Sequence, residues 1–165
     1  MDVGQGWIMP FQAVFPRYVV LILIFLLVSA GWAAIAVSES RPGLRLVLTT
    51  DRAVYARGEP VELTLAVTNP GPDPVTLTAP SSQLYDFAVL RDGTEVWRWS
   101  AGRMFLTVLT DLTVPPGGTR AFTETWDQRD RDGRPVGPCG YVVVGVLIGG
   151  EQVGLGPGRV SITIR

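Results

Sequence analysis

The residues that most often carry out chemistry in proteins are scarce in this chain. It contains no histidine and a single cysteine, Cys139. Ser-His-Asp and Cys-His nucleophiles need an imidazole as the base, and most catalytic zinc sites need histidine ligands. The sequence therefore predicts a protein that is not an enzyme and has no cofactor. One thiol cannot form an intrachain disulfide, so Cys139 is expected to be an unreactive loop residue, or alternatively to pair between chains or be modified.

Acidic side chains are concentrated in one short run that contains Asp127, Asp130 and Asp132, followed by Gly133. Carboxylates spaced along a loop with a glycine at the turn are typical calcium ligands. The spacing fits only in part, because no bidentate glutamate follows and arginines are interspersed with the aspartates. We favour an Asx-type turn with arginine pairing, and the three aspartates stay as alternative metal ligands.

Large apolar side chains are the other candidates for a binding role. Trp97 and Trp99 stand two apart, so on a strand they share one face. That face is either a wall of the core or an exposed platform for a partner, and we favour the core for at least one of the two. Met104 and Phe105 follow, with side chains of the kind that anchor a protein partner. These four residues are the predicted partner-binding residues.

The charge balance excludes one class of partner. The formal net charge is -1, and all the basic residues are arginines scattered singly along the chain. A nucleic-acid-binding protein is expected to carry a basic stripe or patch. The sequence therefore predicts no nucleic-acid partner.

The N-terminal part contains a long uncharged run, from Tyr18 to Val37. A helix of that length spans about 30 Å, which is the thickness of the hydrocarbon core of a membrane. We therefore expect a short N-terminal segment at 1–17, a transmembrane helix or signal-peptide core at 18–37, a linker at 38–43 and a domain at 44–165.

This segment could either be cleaved off or remain as a membrane anchor. Ala34 and Ala36 form an A-x-A pattern, so cleavage near Ala36 would secrete the domain. We favour a retained single-pass anchor, because the apolar run is long for a signal peptide and Arg17 is the only basic residue before it. Arginines are more numerous after the segment than before it, but long domains are translocated largely regardless of charge. The domain is therefore expected outside the cytoplasm.

From residue 44 onward, apolar and polar residues alternate with the period of a β-strand. The clearest case is 61–68, and Asp92 with Gly93 supplies the turn of a tight hairpin. The pattern predicts an all-β fold, an immunoglobulin-like antiparallel sandwich of about 8–9 strands. The other expected strands are 44–48, 75–79, 84–90, 95–100, 105–110, 119–126, 141–147 and 159–164.

Three groups of residues on these strands are distinctive. They are 67–69 with 75–77, then 83–87 with 95–100 and 104–105, and finally 123–127 with Asp130, Gly133, Val136 and Tyr141. Together they resemble the intracellular proteinase inhibitor family (the BsuPI domain) over residues 63–146. The last group alone is also similar to an immunoglobulin-like module of flagellar hook-capping proteins. One position departs from the family pattern, since Cys139 follows Pro138 where glycine is usual.

The resemblance implies an immunoglobulin-like sandwich, in a family named after an inhibitor of a subtilisin-type protease. Since an export segment has no use in an intracellular inhibitor, the expected target is a protease outside the cytoplasm. Two loops are candidates for the reactive site, residues 100–106 and residues 51–60. The alternatives are a structural or adhesion module of the cell envelope and a metal-stabilised carbohydrate binder.

Overall fold

The computed structural model describes residues 35–37 and 43–165. In these residues the chain forms eleven strands and one short 3-10 helix, Gly150–Val153. The strands are β1 (Ile35–Val37), β2 (Arg45–Thr50), β3 (Val54–Tyr55), β4 (Val61–Thr68), β5 (Val75–Ala79), β6 (Tyr85–Arg91), β7 (Thr94–Arg98), β8 (Thr110–Val114), β9 (Thr119–Trp126), β10 (Gly140–Leu147) and β11 (Gly158–Ile164). The all-β prediction is confirmed for the described part of the chain.

The strands form three sheets. Sheet A has the order β1-β2-β4-β9, and sheet B has the order β3-β11-β10-β6-β7. Sheet C contains only β5 and β8. Neighbouring strands are antiparallel throughout, except that β3 runs parallel to β11.

Alternation along the strands creates the core. In β4, the side chains of Val61, Leu63, Leu65 and Val67 are buried, and the residues between them face outward. Strand β11 of sheet B alternates in the same way. Each fully buried Val or Leu side chain contributes about 1.5–3 kcal/mol relative to exposure. The apolar faces of sheets A and B therefore join in one core, and the fold is a β-sandwich.

Two glycines allow sheet B to lie close to sheet A. A Cβ atom at Gly145 would lie 2.9 Å from Leu65 Cδ1, and one at Gly158 would lie 2.8 Å from Leu48 Cβ. A side-chain end such as Leu65 Cδ1 can move aside, whereas Leu48 Cβ is fixed to its backbone. Gly158 is therefore the more strictly required of the two.

The strand predictions are confirmed at most positions and wrong at one. Residues 105–109 form an irregular loop, and the strand begins only at Thr110. The apolar run of this segment resembles a strand, but the backbone there pairs with no neighbouring strand. The prediction also missed β3, which lies within the segment expected to be a loop at 51–60.

The predicted N-terminal segment meets the described residues only at its end. Ile35–Val37 is a strand that pairs with Val47, Leu48 and Thr49 of β2, so the structure does not continue the predicted helix to Val37. The rest of that prediction, residues 18–34, lies outside the described residues, as do residues 1–17 and most of the expected linker. Within the described residues, no helix has the length and apolar character to cross a membrane.

Candidate partner-binding site: the β7–β8 loop

The segment between β7 and β8, residues 99–109, contains four of the five large hydrophobic residues that are exposed in the described part of the chain. Met104 is 98% exposed, Leu109 74%, Leu106 72% and Val108 51%. Among the described residues, only Val54 is also a large exposed hydrophobic residue. A concentration of apolar side chains in water marks a site of interaction with another molecule.

The backbone of this loop is held at both ends. At its start, Ala101 N–H donates to Arg98 O and Arg103 N–H donates to Ser100 O, in a turn that Gly102 closes with φ of 75°. At its far side, Leu106 N–H donates to Ser82 Oγ and Leu106 C=O accepts from Ser82 N–H, both at 2.9 Å.

The exposed segment between these two attachments is short. Residues 103–106 form neither a turn nor a bend. Met104 therefore lies on a short segment without regular secondary structure, which hydrogen bonds fix at each end.

Asp86 secures the start of the loop. Its buried carboxylate accepts hydrogen bonds from Ser100 N–H at 3.1 Å, Ser100 Oγ at 2.7 Å and Arg98 Nη1 at 2.7 Å. It also accepts one from Phe87 N–H at 2.9 Å. This role of Asp86 was not predicted from the sequence, although an acidic residue within an apolar strand was a usable signal.

A cluster of aromatic rings lies between the loop and the two sheets. Tyr85 stacks on Trp99 and on Phe122, each at 4.5 Å between ring centroids, and Phe105 lies 5.8 Å from Trp99. The Tyr85 hydroxyl donates to Glu124 at 2.5 Å. Burial, followed by this hydrogen bond, raises the pKa of Tyr85. The cluster connects β6 of sheet B with β9 of sheet A, so it fixes the loop to both sheets.

The guanidinium of Arg103 is held against the same cluster. Its central carbon lies 4.4 Å from the centroid of the Trp99 ring, and its Nε donates to Trp99 O at 3.0 Å. A cation over an aromatic face contributes about 0.5–1 kcal/mol at an exposed site. The Arg103 side chain is therefore directed back onto the protein, while Met104 is directed away from it.

The four predicted partner-binding residues are divided by the structure. Met104 is exposed, whereas Trp97, Trp99 and Phe105 are half-buried. The ring centroid of Trp97 lies 6.3 Å from that of the buried Trp126, and both Trp97 and Trp99 pack against the core. The two tryptophans thus close the side of the sandwich and present only part of their surface to solvent.

The aspartate run forms the turn that the sequence analysis favoured. Asp130 Oδ1 accepts the N–H groups of Asp132 and Arg134, each at 2.9 Å. The Arg134 side chain pairs with both Asp130 and Asp132, and Arg129 lies 3.6 Å from Asp127. Within the described residues, no group of three or more acidic, histidine or cysteine side chains is arranged to hold a metal ion.

The second candidate loop, residues 51–60, is tied down by a side chain from elsewhere. The buried Gln128 accepts from Gly58 N–H at 2.8 Å and donates to Ala56 O and Glu59 O at 2.8 and 2.7 Å. Val54 is the only large hydrophobic residue exposed in this loop. The 51–60 loop therefore exposes fewer large apolar side chains than the β7–β8 loop.

Cys139 lies at the entrance to β10. It is half-buried, packs against the core and makes no disulfide. Burial raises the pKa of Tyr141 to about 12. The Tyr141 hydroxyl donates to Gly137 O at 2.7 Å, so it orders the turn that contains Cys139.

Together these features define a β-sandwich that displays an ordered apolar loop. Proteins of this class carry their binding residues on loops that a rigid scaffold holds in place. The family model described as "BsuPI: Intracellular proteinase inhibitor" matches residues 48–151, which is more than half of the chain. The chain therefore belongs to this family of proteinase inhibitors, as the resemblance indicated. No curated protein matches the chain.

Solved structures show distant similarity. The CARDB domain of the PF1109 protein from Pyrococcus furiosus, in complex with di-metal ions, is 13% identical with a TM-score of 0.39, covering 87% of this chain and 97% of that chain. Spo0M, a sporulation control protein from Bacillus subtilis, is 19% identical with a TM-score of 0.45, covering 74% and 49%.

The alkylpurine DNA glycosylase AlkC from Pseudomonas fluorescens is 16% identical with a TM-score of 0.45. That match covers 79% of this chain and 30% of the glycosylase chain. These similarities are too distant to carry any argument about function.

Proposed function

We propose that this protein is a non-enzymatic inhibitor of a subtilisin-type serine protease, which it blocks with the β7–β8 loop. The observation that carries the proposal is the combination of family membership with one ordered loop whose apolar side chains face solvent. A protease cleft accepts a short chain segment with apolar anchors. Residues 103–106 pair with no strand and expose the apolar side chains of Met104 and Leu106.

Order in the free loop favours tight binding. Fixing a flexible loop on association costs about 0.5–1.5 kcal/mol for each immobilised side chain, in addition to the backbone term. Here the bonds of Asp86 to Ser100 and of Ser82 to Leu106 already hold the loop ends in the free protein. Most of that ordering cost is therefore met during folding, before the protease binds.

The site of action in this proposal is outside the cytoplasm, with the chain retained as a single-pass membrane protein. The support is the uncharged run that begins at residue 18, of which the 17 residues before β1 have about the minimum length of a membrane-spanning helix. The family description names intracellular inhibitors, so the relevant proteases for this chain would differ from those of an intracellular relative.

The experiment for inhibition uses the full chain in mild detergent with a panel of subtilisin-type proteases and a small chromogenic substrate. We expect residual activity of at least one protease to fall to near zero at stoichiometric inhibitor. The loop variant L106S/L109S should weaken inhibition, and the matched control V54S, which changes the exposed hydrophobic residue outside the loop, should not. Full activity of every protease at micromolar excess would reject the proposal and favour a structural or adhesion module.

The experiment for location is N-terminal sequencing of the protein purified from membranes, with protease digestion of intact cells. A retained anchor predicts an N-terminus before residue 18 and a domain that added protease can reach. A mature N-terminus at Val37 would show cleavage after Ala36 and a secreted protein.

A further inference from the structure

We propose that Met104 is the side chain that enters the specificity pocket of the protease, and that the Met104–Phe105 peptide bond is presented to its catalytic serine. This assignment rests on the proposed function and gives it a register. It also names the target class, namely serine proteases with an apolar specificity pocket.

Alternation of side chains along the loop supports this register. Met104 is 98% exposed and Leu106 is 72% exposed, while Phe105 between them is half-buried against Trp99. Met104 therefore projects fully away from the protein, and the residue after it is anchored to the scaffold.

The side chain of Met104 suits an apolar pocket. It is unbranched, flexible and free of charge, and it fills apolar cavities of varied shape. The preceding residue, Arg103, is the alternative for a protease that selects basic residues, but its guanidinium lies on Trp99. The geometry thus favours Met104, and not the preceding Arg103, as the residue that enters the specificity pocket.

Both sides of the Met104–Phe105 bond remain attached to the scaffold independently. On the N-terminal side, Arg103 is bonded through its backbone to Ser100 and through its side chain to Trp99. On the C-terminal side, Phe105 packs on Trp99 and Leu106 makes two hydrogen bonds with Ser82.

If the bond is hydrolysed, the C–N bond breaks and one water is added. Its hydroxyl completes a carboxylic acid at Met104, and its hydrogen completes an amine at Phe105; the acid proton then passes to the amine or to solvent. The new ends stay close together because each is held by the scaffold, so the cleaved form is retained and re-forms the bond readily. Such retention is what separates an inhibitor from a substrate.

Substitution of Met104 tests the register without disturbing the fold, since the side chain makes almost no contact with the protein. M104D should raise the inhibition constant for the apolar-pocket protease at least tenfold, because a carboxylate would be desolvated in the pocket. M104L should retain inhibition. M104K should lose inhibition of that protease and gain inhibition of a trypsin-type protease, which a residue with only a structural role would not do.

A second measurement identifies the bond itself. After prolonged incubation with a catalytic amount of the protease, N-terminal sequencing of the clipped inhibitor should give a new N-terminus at Phe105. A different N-terminus, or M104D that inhibits as well as the parent, would overturn the assignment while the inhibitory function stands. If the parent chain inhibits no protease, both the function and the assignment fail.

Discussion

Replacing Asp86 with asparagine tests whether the loop is held from its base. The change removes the charge and converts one carboxylate oxygen into an N–H₂ group. An amide oxygen at the Oδ1 position keeps the bonds from Phe87 N–H and Ser100 N–H, at 2.9 and 3.1 Å. At the Oδ2 position, the amide N–H₂ faces Arg98 Nη1, which is also a donor.

The size of the effect follows from these contacts. The Asp86 side chain is 5% exposed, and its bond to Arg98 is charge-assisted. Loss of a hydrogen bond to a charged group costs about 1.5–3 kcal/mol, and breaking a fully buried ion pair costs about 3–5 kcal/mol. Arg98 is 40% exposed and keeps its bond to Glu95, so the cost of a fully buried ion pair is not reached. We expect D86N to lower the free energy of unfolding by about 2–3 kcal/mol.

The assay is urea unfolding of the full chain in detergent micelles, followed by tryptophan fluorescence. The matched control is E95Q, which removes the more exposed partner of Arg98 and should cost less than about 1 kcal/mol. We also expect D86N to inhibit the protease more weakly, because Ser100 is held less firmly. A loss for D86N no larger than that for E95Q would refute the reasoning.

Three further predictions concern the scaffold. Q128A removes three hydrogen bonds to the backbone of the 51–60 loop and should lower the free energy of unfolding by about 2–4 kcal/mol; a change below about 0.5 kcal/mol in urea unfolding would contradict this. G158A places a Cβ atom 2.8 Å from Leu48 Cβ and should cost about 1–3 kcal/mol, whereas G156A, where a Cβ would meet nothing within 4 Å, should be nearly neutral. Equal losses in thermal unfolding would disprove the close approach. Burial raises the pKa of Tyr55 from 10.0 to about 12, so its stabilising effect is complete below pH 10.0 and is lost as the pH rises to about 12. Unfolding measured across this pH range should show a steeper decline for the parent than for Y55F, and identical declines would exclude the effect.

The sequence was sufficient to predict the elements whose side chains alternate regularly. Strand β4 is an example, since its inner face is set by Val61, Leu63, Leu65 and Val67 alone. Strand β3 could not be predicted in this way, because it has only two residues and forms by parallel pairing with β11, which is about a hundred residues away.

The same distinction applies to the candidate site. Met104 and Phe105 were identifiable from their apolar side chains, but the pattern at 105–110 predicted a strand that the structure does not contain. The backbone of Leu106 is hydrogen-bonded to Ser82 instead of to a neighbouring strand. No local sequence pattern reveals this contact, because the two residues lie far apart in the chain. The pairing of Arg98 with Asp86 was missed for the same reason.

The central claim is that a protease binds this chain through the β7–β8 loop. Hydrogen exchange of the full chain, with and without a subtilisin-type protease inactivated at its serine, tests it directly. We expect strong protection of backbone amides at residues 103–106 on complex formation, with little change at residues 51–60. Protection confined to residues 51–60, or no protection in the β7–β8 loop of a formed complex, would contradict it.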